Sequence, residues 1–247
     1  MLRSLILAFT IAFSSDTQGQ NMDIEKAKKA AGHKAAELIQ DGQIVGLGTG
    51  STAAYFIESL IERCKQGLKI TAVSSSRASA EQARRGGIEV LDINEVLHVD
   101  ITVDGADQID PQKRMIKGGG GAHVREKILA SSSDELVVIV DETKVVSSLG
   151  KTKLPVEVLF YGSPSTRQKL EELGYSGRWR MNEDHSLFIT ENGNLIFDII
   201  FDSPLLDPEQ DHEKIIHVPG VVDTGFFFGY AGRVIIGASD GSTKMLK

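Results

Sequence analysis

The chain has 247 residues, with 34 acidic residues against 27 lysines and arginines and a formal net charge of −7. This excess of negative charge argues against general nucleic-acid binding, because such surfaces depend on clustered positive charge. Cys64 is the single cysteine, which excludes an internal disulfide and a zinc site built on several thiolates. The length allows one large domain or two modest ones.

The first 21 residues differ from the rest of the chain. Arg3 precedes an apolar run at residues 5–13, which matches a signal-peptide core in length and is too short to span a bilayer. A lone arginine and the lack of a clear cleavage site argue against secretion, and Met22 directly precedes an amphipathic pattern. We therefore interpret residues 1–21 as an extension or a start assigned too early, and we expect a cytoplasmic protein.

Helix and strand patterns alternate up to about residue 150. A helix is predicted over residues 23–40, where small and apolar residues recur at helical spacing until Asp41-Gly42. Apolar, largely β-branched runs predict buried strands at residues 44–47, 70–73, 88–91, 101–103 and 136–140, with helices between most of them at 51–65, 79–85 and 122–131. Such alternation indicates a parallel sheet covered by helices on both faces.

After residue 150 the pattern becomes that of a small α+β domain. We predict a strand at 156–160, a helix at 165–173 and a hairpin across 188–200 that turns at Asn192-Gly193. Asp207 followed by Pro208 predicts the start of another helix. The apolar run 232–239 is expected to return to the first sheet, so that residues 22–150 and 227–247 form one domain and residues 151–226 an insertion in it.

The sequence VGLGTGST, residues 45–52, places three glycines between the first strand and the second helix. A dinucleotide fingerprint would need glycine at Ser51 and an acid after the second strand, where the sequence has SSSRAS. A P-loop would need a lysine that TGST lacks. What remains is a helix N-terminus where Thr49, Ser51 and Thr52 can bind a phosphate, the alternative being that Thr49 and Ser51 only cap the helix.

The segment DITVDGADQID places Asp104 and Asp107 just beyond the fourth strand. Open α/β sheets bind ligands at this carboxyl edge, so the two carboxylates are candidate site residues. The alternative is an ordinary turn, because Asp-Gly is typical of turns. A metal site is poorly supported by two carboxylates without a nearby histidine.

The segment KGGGGAHVREKI, residues 117–128, is the most informative. Four consecutive glycines let backbone N–H groups approach a ligand, Lys117 leads into them, and Glu126 follows in the early turns of a helix. Alternatives are a flexible linker for the glycines and a solvated helix residue for Glu126. His123 is interpreted as a capping or packing residue.

Two further lysines are candidate cations. Lys144, in the segment DETK, follows the fifth strand and should lie at the same sheet edge as the loops above. Lys28, on the first helix, has no positional argument of its own. The apolar segment GFFFGY, residues 225–230, fits either a subunit interface or core packing.

Six segments, in order and spacing, resemble the type A ribose-5-phosphate isomerase family: GLGTGSTA, TVDGADQID, KGGGGAHVREKI, DETK, LPVEV and VPGVV. Each motif is weak alone, whereas the combination is specific and extends from about Met22 to the end of the sequence. Family sequences begin near Met22, which agrees with an extension before it. The resemblance implies a Rossmann-like α/β domain carrying an inserted ferredoxin-like domain.

The resemblance also implies interconversion of D-ribose 5-phosphate and D-ribulose 5-phosphate in the pentose phosphate pathway, without a metal or an organic cofactor. By motif position the family's base falls on Glu126. The other matched positions are Lys28, Thr49, Gly50, Ser51, Thr52, Asp104, Gly105, Ala106, Asp107, Lys117, Gly118, Gly119, Gly120 and Lys144. His123 replaces a usually apolar residue and Arg77 a polar or acidic one, and neither falls on a matched position.

The chemistry suggests a role for each group. We expect Glu126 to move a proton between C2 and C1 through an enediolate, with Lys117 and the glycine N–H groups stabilising the oxyanion. Asp104 is expected to assist ring opening and Asp107 to fix hydroxyls. Residues 49–52 and Lys144 are expected to bind the phosphate, and Lys28 matches a phosphate-contacting lysine of the family.

Two other classes compete with this interpretation. A non-catalytic sugar-phosphate sensor of related fold would not need Glu126 and both aspartates, and the sequence has no helix-turn-helix or basic segment. An acyl-CoA transferase would use a glutamate as nucleophile. The expected partners are a sugar phosphate and further copies of the chain, as dimer or tetramer, with no nucleic acid and no membrane.

Overall fold

The computed structural model describes residues 21–246, which form three sheets and the helices that cover them. The strands in chain order are β1 (Ile44–Leu47), β2 (Thr71–Ser74), β3 (Glu89–Val90), β4 (Ile101–Asp104), β5 (Gln108–Ile109), β6 (Met115–Ile116), β7 (Leu136–Asp141), β8 (Lys153–Val158), β9 (Gly177–Trp179), β10 (Leu195–Ile200), β11 (Val221–Thr224), β12 (Phe226–Phe227), β13 (Ala231–Gly237) and β14 (Thr243–Leu246). The helices are α1 (residues 21–36), α2 (Ser51–Lys65), α3 (Arg77–Arg85), α4 (His123–Ser131), α5 (Ser163–Glu172) and α6 (Pro208–Ile216), with 3-10 turns at Ile93–Glu95 and Glu142–Lys144.

The largest sheet has seven strands in the order β14-β13-β7-β4-β1-β2-β3. All neighbouring pairs are parallel except β13 with β14. Side chains of β7 alternate between the two faces: Val137 and Ile139 pack in one apolar cluster with α1 and α2, whereas Val138 and Val140 pack in another with Ala130 of α4. Because both faces of β7 are buried, residues 136–140 are apolar without interruption, as the sequence pattern indicated.

The second sheet is antiparallel and has the order β11-β8-β10-β9. With α5 and α6 it follows the chain order strand, helix, strand, strand, helix, strand, as expected for a ferredoxin-like unit. Its core includes Val156, Leu170 and Phe197. A small three-stranded sheet, β12-β6-β5, connects this unit to the loops beside the large sheet. The expected mixed α/β fold is therefore confirmed.

Most of the predicted elements in the first half are found within two residues of their expected bounds, and β1 and α2 match theirs. The first helix is shorter than expected, because residues 37–38 form a turn. The run 232–239 corresponds to β13, which pairs with β7 in the large sheet as expected. Asp207 caps α6 by accepting a hydrogen bond from the Gln210 N–H at 2.9 Å.

The predicted hairpin at residues 188–200 is wrong in its first arm. The turn forms, with Gly193 at a φ of 82°, but only the isolated bridge between Ile189 and Leu195 follows it. β10 pairs instead with β8 and β9, and the Phe188 N–H bonds to the Arg180 carbonyl at 2.9 Å. The Asn-Gly signal is local, whereas the strand partners are decided by packing across the unit.

The domain boundaries at residues 22–150, 151–226 and 227–247 stay a prediction that the two separate sheets support. The predicted N-terminal extension lies outside the described residues except for Asn21, with which the described part of α1 begins. Within residues 21–246, no helix combines the length and the apolar character needed to cross a bilayer.

Candidate active site

A cleft of about 140 Å³ opens at the carboxyl edge of the large parallel sheet. Its wall comes from the loop after β1, the loop after β4, the glycine loop before α4, and single residues of α1, α4 and the turn after β7. The lining residues are Lys28, Thr49, Gly50, Ser51, Thr52, Gly105, Ala106, Asp107, Lys117, Gly118, Gly119, Gly120, Glu126 and Lys144. Of the positions matched to the family, Asp104 alone is not part of the wall, because it is buried behind it.

The loop after β1 approaches β4 so closely that a glycine is needed. A Cβ at Gly48 would lie 2.1 Å from Asp104 Oδ1, and Gly50 has a φ of 105° that favours glycine. No side chain caps α2, and the Thr49 hydroxyl pairs instead with Ser75 Oγ at 2.8 Å. The capping alternative is therefore not formed, and residues 49–52 at the α2 N-terminus line the cleft.

Asp104 organises the floor of the site. Its Oδ1 accepts hydrogen bonds from the Thr49 N–H at 3.0 Å and the Gly105 N–H at 2.7 Å, and its Oδ2 accepts one from Lys117 Nζ at 2.8 Å. These contacts join three loops at one buried carboxylate. Asp104 and Gly105 therefore do more than form a turn, because the Asp104 carboxylate and the Gly105 carbonyl both accept hydrogen bonds from Lys117 Nζ.

Lys117 and Glu126 form a buried ion pair, with Nζ 3.1 Å from Oε2 and both side chains under 5% exposed. Lys117 Nζ also donates to the Gly105 carbonyl at 2.5 Å. Burial lowers the pKa of Lys117, but the nearby charges of Asp104 and Glu126 outweigh it and raise that pKa above its usual range. Lys117 is therefore a fixed positive charge on the cleft wall.

Burial raises the pKa of Glu126 to about 8, against the lowering effect of Lys117 and with a further rise from Asp104. The helix α4 presents this carboxyl group into the cleft, and within residues 21–246 Oε2 has the Lys117 ammonium beside it but accepts no hydrogen bond of regular geometry. A carboxylate with a raised pKa, partly unsatisfied and facing a cleft, is suited to proton transfer near neutral pH. The solvated-helix alternative for Glu126 is excluded by its burial.

The glycine loop is ordered rather than a flexible linker. Gly118 has a φ of 97°, and the Lys117 N–H bonds to the Gly225 carbonyl at 2.8 Å. The Gly119 N–H donates to Asp107 Oδ2 at 2.7 Å, so Asp107 lies on the cleft wall beside the loop. The loop thus brings backbone donors and a carboxylate to the same side of the cleft.

Two lysines flank the α2 N-terminus. Lys28 reaches the wall from α1, where its Nζ pairs with Glu25 Oε1 at 2.6 Å. Lys144 ends the 3-10 turn after β7 and is half-buried. Both lysines line the same cleft as residues 49–52, and the Lys28 charge is partly balanced by Glu25.

His123 is a fully buried packing residue, in agreement with the sequence interpretation. Burial lowers its pKa to about 4, with a smaller contribution from the Lys127 charge. Arg77 lies outside the cleft and approaches Glu191, with its Nε 3.7 Å from Oε2. Phe226 and Phe227 of the segment GFFFGY are buried, which favours core packing for that segment.

Sequence reasoning missed Ser75, Arg180 and Asp198. Ser75 is buried under Thr49, and Arg180 donates to the carbonyls of the glycine loop from outside the cleft. A signal for Asp198 was present, because an acid inside the apolar run LIFDII implies a buried partner. Nothing local in the sequence indicated that this partner would be Arg180.

Comparisons with known proteins agree with this geometry. The family model described as ribose 5-phosphate isomerase A (phosphoriboisomerase A) matches residues 71–241. The ribose-5-phosphate isomerase A of Protochlamydia amoebophila (strain UWE25) is 51% identical over 230 residues, which cover 93% of this chain and 99% of the relative.

Solved structures show the same fold. The ribose 5-phosphate isomerase of Plasmodium falciparum superposes with a TM-score of 0.86 at 34% identity, covering 90% of this chain and 98% of that one. A D-ribose-5-phosphate isomerase in complex with phospho-erythronic acid gives a TM-score of 0.85 at 35% identity, covering 91% and 99%. The chain belongs to the ribose 5-phosphate isomerase A family.

Proposed function

We propose that this chain interconverts D-ribose 5-phosphate and D-ribulose 5-phosphate, an aldose–ketose isomerisation of the non-oxidative pentose phosphate pathway, with Glu126 as the base. The observation that carries the proposal is the buried Glu126–Lys117 pair, 3.1 Å apart, on the wall of a cleft whose other end is a helix N-terminus. An acid–base group and an anion site in one cleft fit a phosphorylated sugar.

Isomerisation moves a proton between C2 and C1 through an enediolate. Glu126 is assigned both steps, because one carboxylate can remove the proton from one carbon and return it to the next. Its raised pKa makes it a stronger base than an exposed glutamate once ionised, and it makes the protonated form a usable acid at neutral pH.

The oxygens of the enediolate gain negative charge as the proton leaves carbon. Lys117, held in place by Asp104 and the Gly105 carbonyl, supplies a positive charge that does not have to reorganise during the reaction. The N–H groups of the glycine loop supply neutral donors beside it. Prearranged donors of this kind are expected to stabilise the intermediate more than the ground-state sugar.

The phosphate performs no chemistry and serves to position the sugar. We assign it to the N–H groups and hydroxyls of residues 49–52, with Lys144 and Lys28 as counter-charges. Binding the phosphate at this end would place C1 and C2 toward Glu126. Binding energy from a remote group is then used for orientation.

Ring opening must come before isomerisation of the closed sugar and is expected of Asp104, whereas Asp107 is expected to fix hydroxyls. Asp107 lies on the cleft wall and its Oδ2 accepts one N–H bond from Gly119, so it is the member placed to contact a hydroxyl. Asp104 is bonded by three donors behind the wall, which supports a role in orienting Lys117. The role expected of Asp104 in proton exchange stays a prediction.

The compartment and the assembly are further proposals. A single cysteine fits the reducing cytoplasm. A homodimer is supported by an exposed apolar run at the end of β8, where Leu159, Phe160 and Tyr161 are 46%, 62% and 92% exposed. Sedimentation analysis of the wild type and of Phe160→Asp would test the assembly, since a monomeric wild type would contradict it.

The activity itself is tested by incubating purified protein with ribose 5-phosphate in the presence of a metal chelator and measuring ribulose 5-phosphate. Turnover that persists under chelation is the expected result. Binding of ribose 5-phosphate without turnover would instead indicate a sensor, and a covalent glutamyl thioester formed with an acyl-CoA would indicate a transferase.

A further inference from the structure

A buried ion pair outside the cleft contacts the glycine loop from behind. Arg180 follows β9 and is 8% exposed, and Asp198 in β10 is 4% exposed. The guanidinium binds the carboxylate through two bonds, with Nε 3.0 Å from Oδ2 and Nη2 2.5 Å from Oδ1. This bidentate geometry fixes the plane and direction of the arginine.

The remaining guanidinium nitrogen is directed at the loop. Arg180 Nη1 donates to the Gly118 carbonyl at 2.8 Å and to the Gly119 carbonyl at 3.1 Å. The Phe188 ring lies under the guanidinium carbon, 5.8 Å from it, and a Cβ at Gly121 would lie 2.6 Å from that ring. Arg180 and Phe188 of the antiparallel unit therefore both contact the glycine loop that lines the cleft.

Holding a carbonyl also fixes the N–H group of the same peptide. The described peptides are all trans, so each C=O and the following N–H point in opposite directions. With the Gly118 carbonyl on Arg180, the Gly119 N–H points the other way and meets Asp107 Oδ2 at 2.7 Å. With the Gly119 carbonyl on Arg180, the Gly120 N–H is also turned away from Arg180, and it has no acceptor among the described residues.

We propose that Arg180, locked by Asp198, is a positioning residue: it orients the glycine loop so that the Gly119 N–H holds Asp107 and the Gly120 N–H is directed toward the substrate. Four adjacent glycines have no preference of their own for one set of peptide orientations. A fixed external donor removes this freedom, and its effect on the reaction passes through the loop, since Arg180 does not line the cleft. The inference rests on the proposed function and extends it to residues of the antiparallel unit.

The test must separate loop positioning from simple destabilisation. Arg180→Met alone would leave the Asp198 carboxylate buried and paired only with Lys153 Nζ at 3.4 Å, which can prevent folding. The principal variant is therefore the double substitution Arg180→Met with Asp198→Leu, which removes both charges and keeps apolar volume. Arg180→Lys keeps the positive charge but cannot make the bidentate contact of a guanidinium. Arg178→Met removes an exposed arginine of β9 and is the matched control.

For the double variant we expect kcat to fall about 10- to 100-fold, less than the ~10²–10³ typical of deleting an oxyanion donor outright. KM should change less than about threefold. The affinity for phospho-erythronic acid, whose carboxylate resembles the enediolate, should fall with kcat, whereas inhibition by inorganic phosphate should not change. Arg180→Lys should fall between the double variant and the wild type, and Arg178→Met should match the wild type.

A folded double variant with wild-type kcat would overturn the proposal. Equal losses of affinity for phospho-erythronic acid and inorganic phosphate would also overturn it, because they indicate a general collapse of the cleft. Failure of the wild type to isomerise ribose 5-phosphate would instead refute the proposed function, so the two failures are distinguishable. Circular dichroism and thermal unfolding identify variants that do not fold. If the double variant does not fold, the kcat of Arg180→Lys decides the test, and a wild-type kcat for that variant would overturn the proposal.

Discussion

Glu126 Oε2 lies 3.1 Å from Lys117 Nζ, and the two side chains are 4% and 3% exposed. In this pair Glu126 has to lose and regain a proton during the reaction, whereas Lys117 stays positively charged. Burial acts on both, but Asp104 adds a second negative charge beside Lys117, so the lysine remains cationic while the pKa of Glu126 rises. Acid–base function and electrostatic stabilisation are thereby separated between two adjacent side chains.

The substitution Glu126→Gln tests the base. It keeps the shape of the side chain and a hydrogen-bonding oxygen but removes the basic group, so we expect kcat to fall about 10²- to 10⁴-fold, the usual contribution of general-base catalysis. KM should change little, because the phosphate end of the cleft is untouched. Ribulose 5-phosphate formation gives both constants, and near-wild-type turnover would exclude Glu126 as the base.

The pH dependence of kcat/KM follows from the raised pKa of Glu126. The base must be ionised to act, so at pH values below its pKa of about 8 the active fraction falls about tenfold per unit. We expect kcat/KM to rise with pH and to level off above about 8. Substrate phosphate titrates near pH 6 and affects only the acid end of the profile. A flat profile between pH 6.5 and 8.5 would contradict the assignment.

Lys144→Ala tests the placement of the phosphate. Loss of a charged partner of the phosphate should raise KM about 10- to 100-fold, in line with the strength of charge-assisted hydrogen bonds. The kcat value should change far less, because the reacting carbons lie at the other end. Lys169→Ala, an exposed lysine of α5, is the matched control. An unchanged KM for Lys144→Ala would show that the phosphate binds elsewhere.

The buried imidazole of His123 should lower the free energy of unfolding in acid. Its folded pKa of about 4 is below the ordinary 6.5, so the unfolded chain takes up a proton first as the pH falls. Stability from this group is full above about pH 6.5 and is lost between 6.5 and 4, up to about 3 kcal/mol.

The substitution His123→Leu removes this titration while keeping a buried apolar side chain. Urea unfolding at pH 7.5 and pH 4.5 should show a smaller loss of stability for the variant than for the wild type. His217→Gln, at an exposed histidine, should leave the difference between the two pH values unchanged. An identical pH dependence for His123→Leu and the wild type would contradict the burial argument.

The local parts of the site were predictable from sequence because each motif ends a strand or begins a helix. Gly48 allows the close approach to Asp104, Lys117 leads into the glycine loop, and Glu126 follows one turn into α4. Parallel strands bring these loops to one edge, so their meeting follows from the fold. The sequence did not show that Glu126 is buried, since a helix residue next to Lys127 has the pattern of a solvated position.

The contributions from the antiparallel unit were not predictable in the same way. Arg180 meets the Gly118 carbonyl across 62 positions of sequence, and no short motif spans that distance. The wrong prediction for the first arm of the hairpin has the same origin, because Phe188 packs against Arg180 and Gly121 and does not pair with β10. Contacts of this kind depend on how two sheets pack, which propensity and periodicity do not encode.

Because β13 belongs to the large sheet, that sheet can be completed only late in synthesis of the chain. β7 pairs with β4 on one side, but its other partner, Ala231–Gly237, is made about ninety residues later. Until then a nascent chain carries the apolar segment Leu136–Asp141 with one edge of its backbone unpaired, which invites association with other chains. That edge can be covered only after the chain has been made as far as β13.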